Sequence, residues 1–216
     1  MTVSLIISTY NNPEYLYLTL KSVMNQRRLP DEILIADDGS GEATRMLVEE
    51  MAAESFVPLR HIWHEDEGFR LGAIRNRAIA EAKGEYIIQI DGDIVLHPSF
   101  VADHVKMARE GWFYSGSRVL LSPETTARMV KGKLVELPKD APERRKMNSR
   151  RVPLLMPLFR RYKSGNGGYV RGLYPAPGRS GDRYLYVSPG AGQWAGFPMR
   201  FFNDSEITLL TLRRRK

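Results

Sequence analysis

Four short apolar runs, each followed by a stretch with helical spacing, restrict this chain to one kind of architecture. Val3 to Thr9, Glu32 to Ala36, Leu59 to Trp63 and Tyr86 to Ile90 have strand length, and Tyr86 to Ile90 is nearly unbroken, as in a parallel strand buried on both faces. After the first run comes Asn12, a candidate N-cap, then Pro13, a favourable first helical residue; Leu16, Leu20, Val23 and Met24 follow at helical spacing. Ala43, Leu47 and Met51 predict the inner face of a second helix. Leu71, Ile74, Ala78 and Ala82 predict that of a third, which stops near Gly84. Pro98 opens a fourth, with Val101, Val105 and Ala108 inward, and Trp112 to Leu121 reads as a further strand. Such alternation predicts βαβ units. The expected fold class is α/β, a mostly parallel sheet with helices on both faces and an irregular C-terminal part.

Carboxylates follow two of the runs directly, at Asp37-Asp38-Gly39-Ser40 and at Asp91-Gly92-Asp93. Ligands of open parallel sheets bind beyond the carboxyl ends of the strands, so both clusters lie along one edge and can share a cleft. Two hard oxygen ligands at Asp91 and Asp93 suit Mg²⁺ or Mn²⁺, above all a metal shared with substrate phosphates. Gly92 is expected to let the backbone turn so that both carboxylates face one point. Taken alone, each motif has a plainer reading. Asp-Gly is an ordinary turn signal, and Asp37-Asp38-Gly39-Ser40 also describes a turn plus a helix cap. Arg75 alone is equally a solvated helix arginine.

The 216 residues include no cysteine, which excludes a disulfide framework, a thiolate metal site and a thiol nucleophile, and fits a reducing compartment. The first residues lack the basic region and cleavage site of a signal peptide, and no run approaches the length of a membrane span. The expected location is cytoplasmic, with peripheral contact at the inner face of the membrane as an option. Charge is divided: residues 1–110 hold 11 Lys+Arg against 18 Asp+Glu, and residues 111–216 hold 21 against 7. An anionic partner is expected for the basic half. Arg150 to Tyr162, apolar in the middle and basic at both ends, suits an anionic membrane surface, and equally a buried loop between solvated arginines. Beyond Pro123 periodicity fades. Thr125 to Val130 suggests a short helix, Lys131 to Arg151 a long polar loop, and Gly165 to Gly168 a joint.

In chain order, the pieces Val3-Ser4-Leu5-Ile6-Ile7-Ser8-Thr9-Tyr10-Asn11, Asp37-Asp38-Gly39-Ser40, Arg75-Asn76-Arg77-Ala78-Ile79, Ala82-Lys83-Gly84-Glu85-Tyr86-Ile87 and Asp91-Gly92-Asp93 resemble the family-2 glycosyltransferases of the GT-A fold. Gly68-Phe69-Arg70 and the aspartate–glycine–aspartate form are similar to bacterial members that build capsule, chondroitin-like or lipopolysaccharide chains. The resemblance covers somewhat over half the chain firmly, and Asn166 to Gly172 loosely. It implies a nucleotide-sugar-binding core over residues 1–121 and a basic loop with a shortened or altered acceptor-side segment over 122–216.

The resemblance further implies inverting transfer from a UDP-sugar to a glycan or lipid-linked glycan acceptor, with Mn²⁺ or Mg²⁺. Thr9 and Tyr10 would border the base and ribose. Asp37 or Asp38 would accept a hydrogen bond from the uracil imide, and Arg75 would reach the uridine or its diphosphate. Asp91 would lie near the ribose and the metal, and Asp93 would ligate the metal. His97, before Pro98, takes a supporting role rather than that of a third ligand. The acceptor hydroxyl needs a general base. Asp204, in Asn203-Asp204-Ser205-Glu206, is the candidate, although asparagine replaces the glutamate of the family's Glu-Asp pair.

Leu173 to Arg200 departs from the pattern, with four prolines, five glycines and little periodicity, and Arg213-Arg214-Arg215-Lys216 stands where further helices are usual. An incomplete acceptor site is therefore expected, and the first alternative is a remnant that binds the sugar nucleotide without transferring. A basic nucleic-acid-binding module is a second alternative. Charge favours it, but no reader motif is present and no nucleic-acid partner is expected. A nucleotidyltransferase is disfavoured, because no Gly-rich loop bearing Lys or Arg follows the first strand.

Overall fold

The computed structural model describes residues 1–108 and 117–146, with the backbone of three further strands at 172–175, 184–187 and 200–204. The elements in order are β1 (Val3–Thr9), α1 (Pro13–Met24), β2 (Glu32–Asp37), α2 (Glu42–Glu54), β3 (Leu59–Trp63), α3 (Leu71–Glu81), β4 (Tyr86–Asp91), β5 (Ile94–Val95), α4 (Phe100–Met107), β6 (Ser117–Leu120), α5 (Pro123–Gly132), a 3-10 turn at Pro142–Lys146, β7 (Gly172–Pro175), β8 (Tyr184–Val187) and β9 (Arg200–Asp204). The chain divides into two compact units, Met1–Ser149 with Pro198–Lys216, and Arg150–Phe197. Within the second, β7 and β8 pair antiparallel, Gly172 opposite Val187 and Pro175 opposite Tyr184. Among the described residues, no helix is long and apolar enough to cross a membrane. Arg150 to Tyr162, Gly165 to Gly168 and Arg213 to Lys216 lie outside the described residues.

The main sheet has the order β3-β2-β1-β4, and every pair in it is parallel. Alternation assigns the two faces of β1. Val3, Leu5 and Ile7 join Ile33, Ile35, Ile88 and Ile90 in one core under Leu16, Leu20 and Val23 of α1 and Val48 and Met51 of α2. Full burial of each such side chain contributes about 1.5–3 kcal/mol. Ser4, Ile6 and Ser8 point to the other face, which α3 covers with Ile74, Ala78 and Ile79. The chain builds outward from β1 through β2 to β3, then returns to place β4 on the other side of β1. The sheet's switch point therefore lies between β1 and β4.

Several helix faces differ from the sequence expectation. On α2 the buried residues are Thr44, Val48 and Met51; Ala43 is exposed and Leu47 half-buried. The buried side is displaced by about one residue at its first two positions, and Arg45, paired with Glu42 and Glu49, lies on the solvent side. On α4, which starts at Phe100 rather than Pro98, Val101 is buried as expected, but the second buried position is His104, with Val105 and Ala108 only half-buried. Asn12 occupies the N-cap of α1 with Pro13 after it, yet its side chain makes no capping bond. Of the expected strand at Trp112 to Leu121, Ser117–Leu120 is observed and residues 109–116 lie outside the described part. The described part of the polar stretch after α5 is packed. Leu137 and Ala141 are buried beside Leu18 and Met129, and Glu143 accepts from Ser122 N–H at 2.7 Å and Thr125 Oγ1 at 3.1 Å.

The two ends of the main sheet differ. At the amino end, buried Glu32 accepts from Ser4 Oγ at 2.6 Å, Lys83 N–H at 2.5 Å and Arg60 Nη2 at 3.0 Å. Burial alone pushes this carboxyl up, but the three hydrogen bonds outweigh it and hold Glu32 below the usual range. That end is closed and satisfied. The carboxyl end is where polar groups remain accessible.

His104 carries a pH-dependent part of the stability. Its ring packs 4.7 Å from Phe100, and Nδ1 lies 3.1 Å from the Tyr86 hydroxyl. Burial pushes it down to about 4, against a small upward pull from Asp103. The unfolded chain takes up this proton near about pH 6.5, before the folded chain does, so stability falls as pH drops from there to about 4. The full loss is about 3 kcal/mol, absent above about pH 7. Urea titrations at stepped pH will show a shallower acid slope for His104→Gln. Identical slopes would remove His104 as the cause.

Candidate functional site

The carboxyl ends of β1, β2 and β4 meet at one corner. Register sets Thr9 opposite Asp37 on one side and Ser8 opposite Asp91 on the other. Arg75 reaches this corner from α3. Its Nε donates to Ser8 Oγ at 2.8 Å and its Nη2 to Asp91 Oδ1 at 2.5 Å. Alternation along β1 is what turns Ser8 toward α3. The Arg75 side chain is only 9 % exposed, whereas 34 % of the Asp91 side chain remains accessible. The solvated-helix reading of Arg75 therefore fails.

Asp37 and Asp38 are both buried and both engaged. Asp37 accepts from Ser40 N–H at 2.8 Å and contacts His61 Nε2 at 2.8 Å. Asp38 contacts His64 Nε2 at 2.7 Å and accepts from Arg70 N–H at 3.0 Å. Each oxygen of a carboxylate has two lone-pair directions, so these bonds still leave acceptor capacity. The residues His64 to Arg70 form a loop fastened over the ends of β1 and β2. Besides the two bonds to Asp38, Tyr10 OH donates to Asp66 Oδ2 at 2.8 Å. That hydrogen bond, and then the charge of Asp66, push the Tyr10 phenol above its ordinary value. Tyr10, Trp63 and Phe69 present exposed aromatic surface around this loop, and Trp63 Nε1 is fixed by the Ser40 carbonyl at 3.0 Å.

Gly92 separates Asp91 from Asp93 for a reason other than the expected one. Its φ is not in the left-handed region. Space excludes a side chain there: a Cβ would stand 2.9 Å from the Ser8 carbonyl oxygen, which already accepts from Gly92 N–H at 2.7 Å. The Asp91-Gly92-Asp93 turn offers two carboxylates, and no group of three or more His, Cys, Asp or Glu among the described residues could hold a metal. Two carboxylates suit a Mg²⁺-like ion whose remaining positions go to phosphates and water, not a preformed protein cage.

Seven of the residues expected from the sequence (Thr9, Tyr10, Asp37, Asp38, Arg75, Asp91 and Asp93) border this one corner. Asp204 is placed differently. It ends β9, which runs parallel to β5 with Arg200 opposite Ile94 and Phe201 opposite Val95, and it stands opposite Ser117 of β6. The residue level with Asp93 thus precedes Arg200, and Asp204 lies about 17 Å further along the strand direction. The partners His61 and His64 were not singled out in the sequence, and Ser8 and Ser40 stood there only inside longer motifs. A histidine within the β3 run was the only available signal.

Carboxylates and a buried arginine stand here at the switch point of a parallel sheet, the place where open α/β domains bind their ligands. The chain belongs to glycosyl transferase family 2, whose profile matches residues 4–165. It is 33 % identical over 106 residues to chondroitin synthase of Escherichia coli, a match covering 49 % of this chain and 15 % of that protein. It is 32 % identical over 104 residues to hyaluronan synthase of Pasteurella multocida, covering 48 % and 10 %. Among solved structures, S. aureus TarS 1–349 in complex with UDP-GlcNAc matches with TM-score 0.42 and 27 % identity over 49 % of this chain and 30 % of that one. The chain thus spans less than a third of the length of these relatives.

Proposed function

We propose that the chain moves a sugar from a UDP-sugar to a hydroxyl of a glycan or lipid-linked glycan acceptor, with inversion, in the synthesis of cell-surface polysaccharide. The observation that carries this reading is the Ser8–Arg75–Asp91 bridge beside Asp93 at the sheet's switch point. Asp91 and Asp93 would hold Mn²⁺ or Mg²⁺, which offsets negative charge on a departing nucleoside diphosphate. Arg75 supplies a fixed, buried positive charge on the same side. Asp37 and Asp38 offer acceptors for an imide N–H, and Thr9 and Tyr10 border the base and ribose. The relatives named above support the class of donor and product.

Calorimetric titration of UDP with and without Mn²⁺ tests the donor half. Binding is expected to require the metal and to fall at least about tenfold in Asp93→Ala. Metal-independent binding that Asp93→Ala leaves intact refutes it. The distance of Asp204 from the aspartate turn favours a second reading, a domain that binds the sugar nucleotide without transferring. Asp204→Asn separates the two: with Asp204 as general base, transfer falls by about 10²–10⁴ while UDP affinity is unchanged.

A further inference from the structure

Helix α1 carries a polar column on the face it buries. Thr19, Ser22 and Gln26, the last just beyond the helix end, are 0, 2 and 7 % exposed. All three bond the backbone that follows Asp91. Thr19 Oγ1 donates to the Gly92 carbonyl at 2.9 Å and shares that proton with the Tyr15 carbonyl at 3.1 Å. Ser22 Oγ accepts from Leu96 N–H at 2.9 Å and donates to the Thr19 carbonyl at 2.7 Å. Gln26 Nε2 donates to the His97 carbonyl at 2.7 Å, and its Oε1 accepts from Val101 N–H at 3.1 Å. Within residues 92–101 only Ile94 and Val95 belong to a strand. Side chains of α1 do here what a sheet ladder does elsewhere.

We propose that Thr19 is a positioning residue for the Asp91-Gly92-Asp93 turn, with Ser22 and Gln26 holding the segment that leaves it. The flanks of Gly92 are pinned on two sides, its N–H by the Ser8 carbonyl at 2.7 Å and its C=O by Thr19. The Gly92 carbonyl belongs to the peptide that leads into Asp93. Fixing it fixes where the Asp93 side chain starts, and so its spacing from Asp91. A residue acting behind the ligands in this way changes metal affinity while the ligands themselves stay intact.

Thr19→Val keeps the shape and the β-branch and removes the hydroxyl; Thr19→Ser keeps the hydroxyl. Two measurements on the full chain decide the matter. In the metal-free protein, amide hydrogen exchange at Gly92, Asp93 and Leu96 is expected to be about tenfold faster in Thr19→Val and close to wild type in Thr19→Ser. In the presence of UDP, Mn²⁺ affinity is expected to fall about tenfold in Thr19→Val and to recover in Thr19→Ser. The second measurement rests on the donor-site reading, and the first does not. If wild-type protein shows no Mn²⁺-dependent UDP binding, the donor-site reading fails and exchange alone decides. Unchanged exchange in Thr19→Val overturns the proposal, as does acceleration spread evenly over the sheet, which marks a general stability residue. Should Thr19→Val fail to fold, Ser22→Ala takes its place, with faster exchange at Leu96 as the expected result and an unchanged rate as the overturning one.

Discussion

Arg75→Met is expected to weaken UDP binding by about a hundredfold and to lower stability by about 2–3 kcal/mol. The substitution keeps an unbranched side chain of similar reach and removes the charge and every donor. Ser8 Oγ then loses its partner, and Asp91 loses the bond to Oδ1. Breaking a fully buried pair costs about 3–5 kcal/mol; Asp91 is one-third accessible, so water recovers part of that. The larger effect falls on binding. The aspartates at this corner repel a diphosphate unless positive charge stands beside them, and Arg75 is a buried source of it. Arg75→Lys separates charge from geometry, because an ammonium cannot serve Ser8 and Asp91 with one planar fork. It is expected to recover stability more than affinity. Calorimetry for UDP and urea unfolding at pH 7 read the two effects apart. Wild-type affinity in a folded Arg75→Met protein would falsify the role given to this arginine.

Strands β1, β2 and β4 were legible in the sequence because they are buried on both faces. β1 and β3 match their expected limits, and β2 and β4 each gain one residue, Asp37 and Asp91, from the polar turns that follow. Helix faces were less legible. On α2, Ala43 and Leu47 are apolar but stand beside Thr44 and Val48, and it is Val48 and Met51 that enter the core. His104 escaped notice because a buried histidine depends on a hydroxyl eighteen residues away, at Tyr86. The corner's acidic residues were legible because they stand directly after apolar runs. Their pairings were not. Arg75 meets Ser8 across 67 positions, and Asp38 meets His64 across 26, contacts that exist only once β1, β2 and α3 have packed. Strand β5 is two residues long and carries no periodicity, so the pairing that places β9, and with it Asp204, left no trace in the sequence.

Gly39→Ala is expected to be among the most damaging single changes in the domain, although it adds one methyl group, in the buried turn just beyond β2. Gly39 has φ +96°, a region that side chains rarely adopt, and a Cβ there would lie 2.6 Å from Asp66 Cα and 2.8 Å from Asp66 N. The obstacle is backbone, so no rotamer change relieves it. Left-handed strain and overpacking together give about 3–5 kcal/mol, or a Tm lower by about 10 °C for a domain of this size. The damage has a direction. Moving Asp66 away drags the 64–70 loop, which carries the Tyr10–Asp66 and Arg70–Asp38 bonds. Tyr10 is held above its ordinary value chiefly by the bond to Asp66, so its phenol should titrate nearer to about 10 in the variant. Ring-carbon NMR on labelled tyrosine follows that one hydroxyl below the melting temperature. A lowered Tm with Tyr10 unmoved would mean that the chain yields elsewhere than at the loop. A shifted Tyr10 with weakened UDP binding would tie the fit of one glycine against one backbone segment to the proposed donor site.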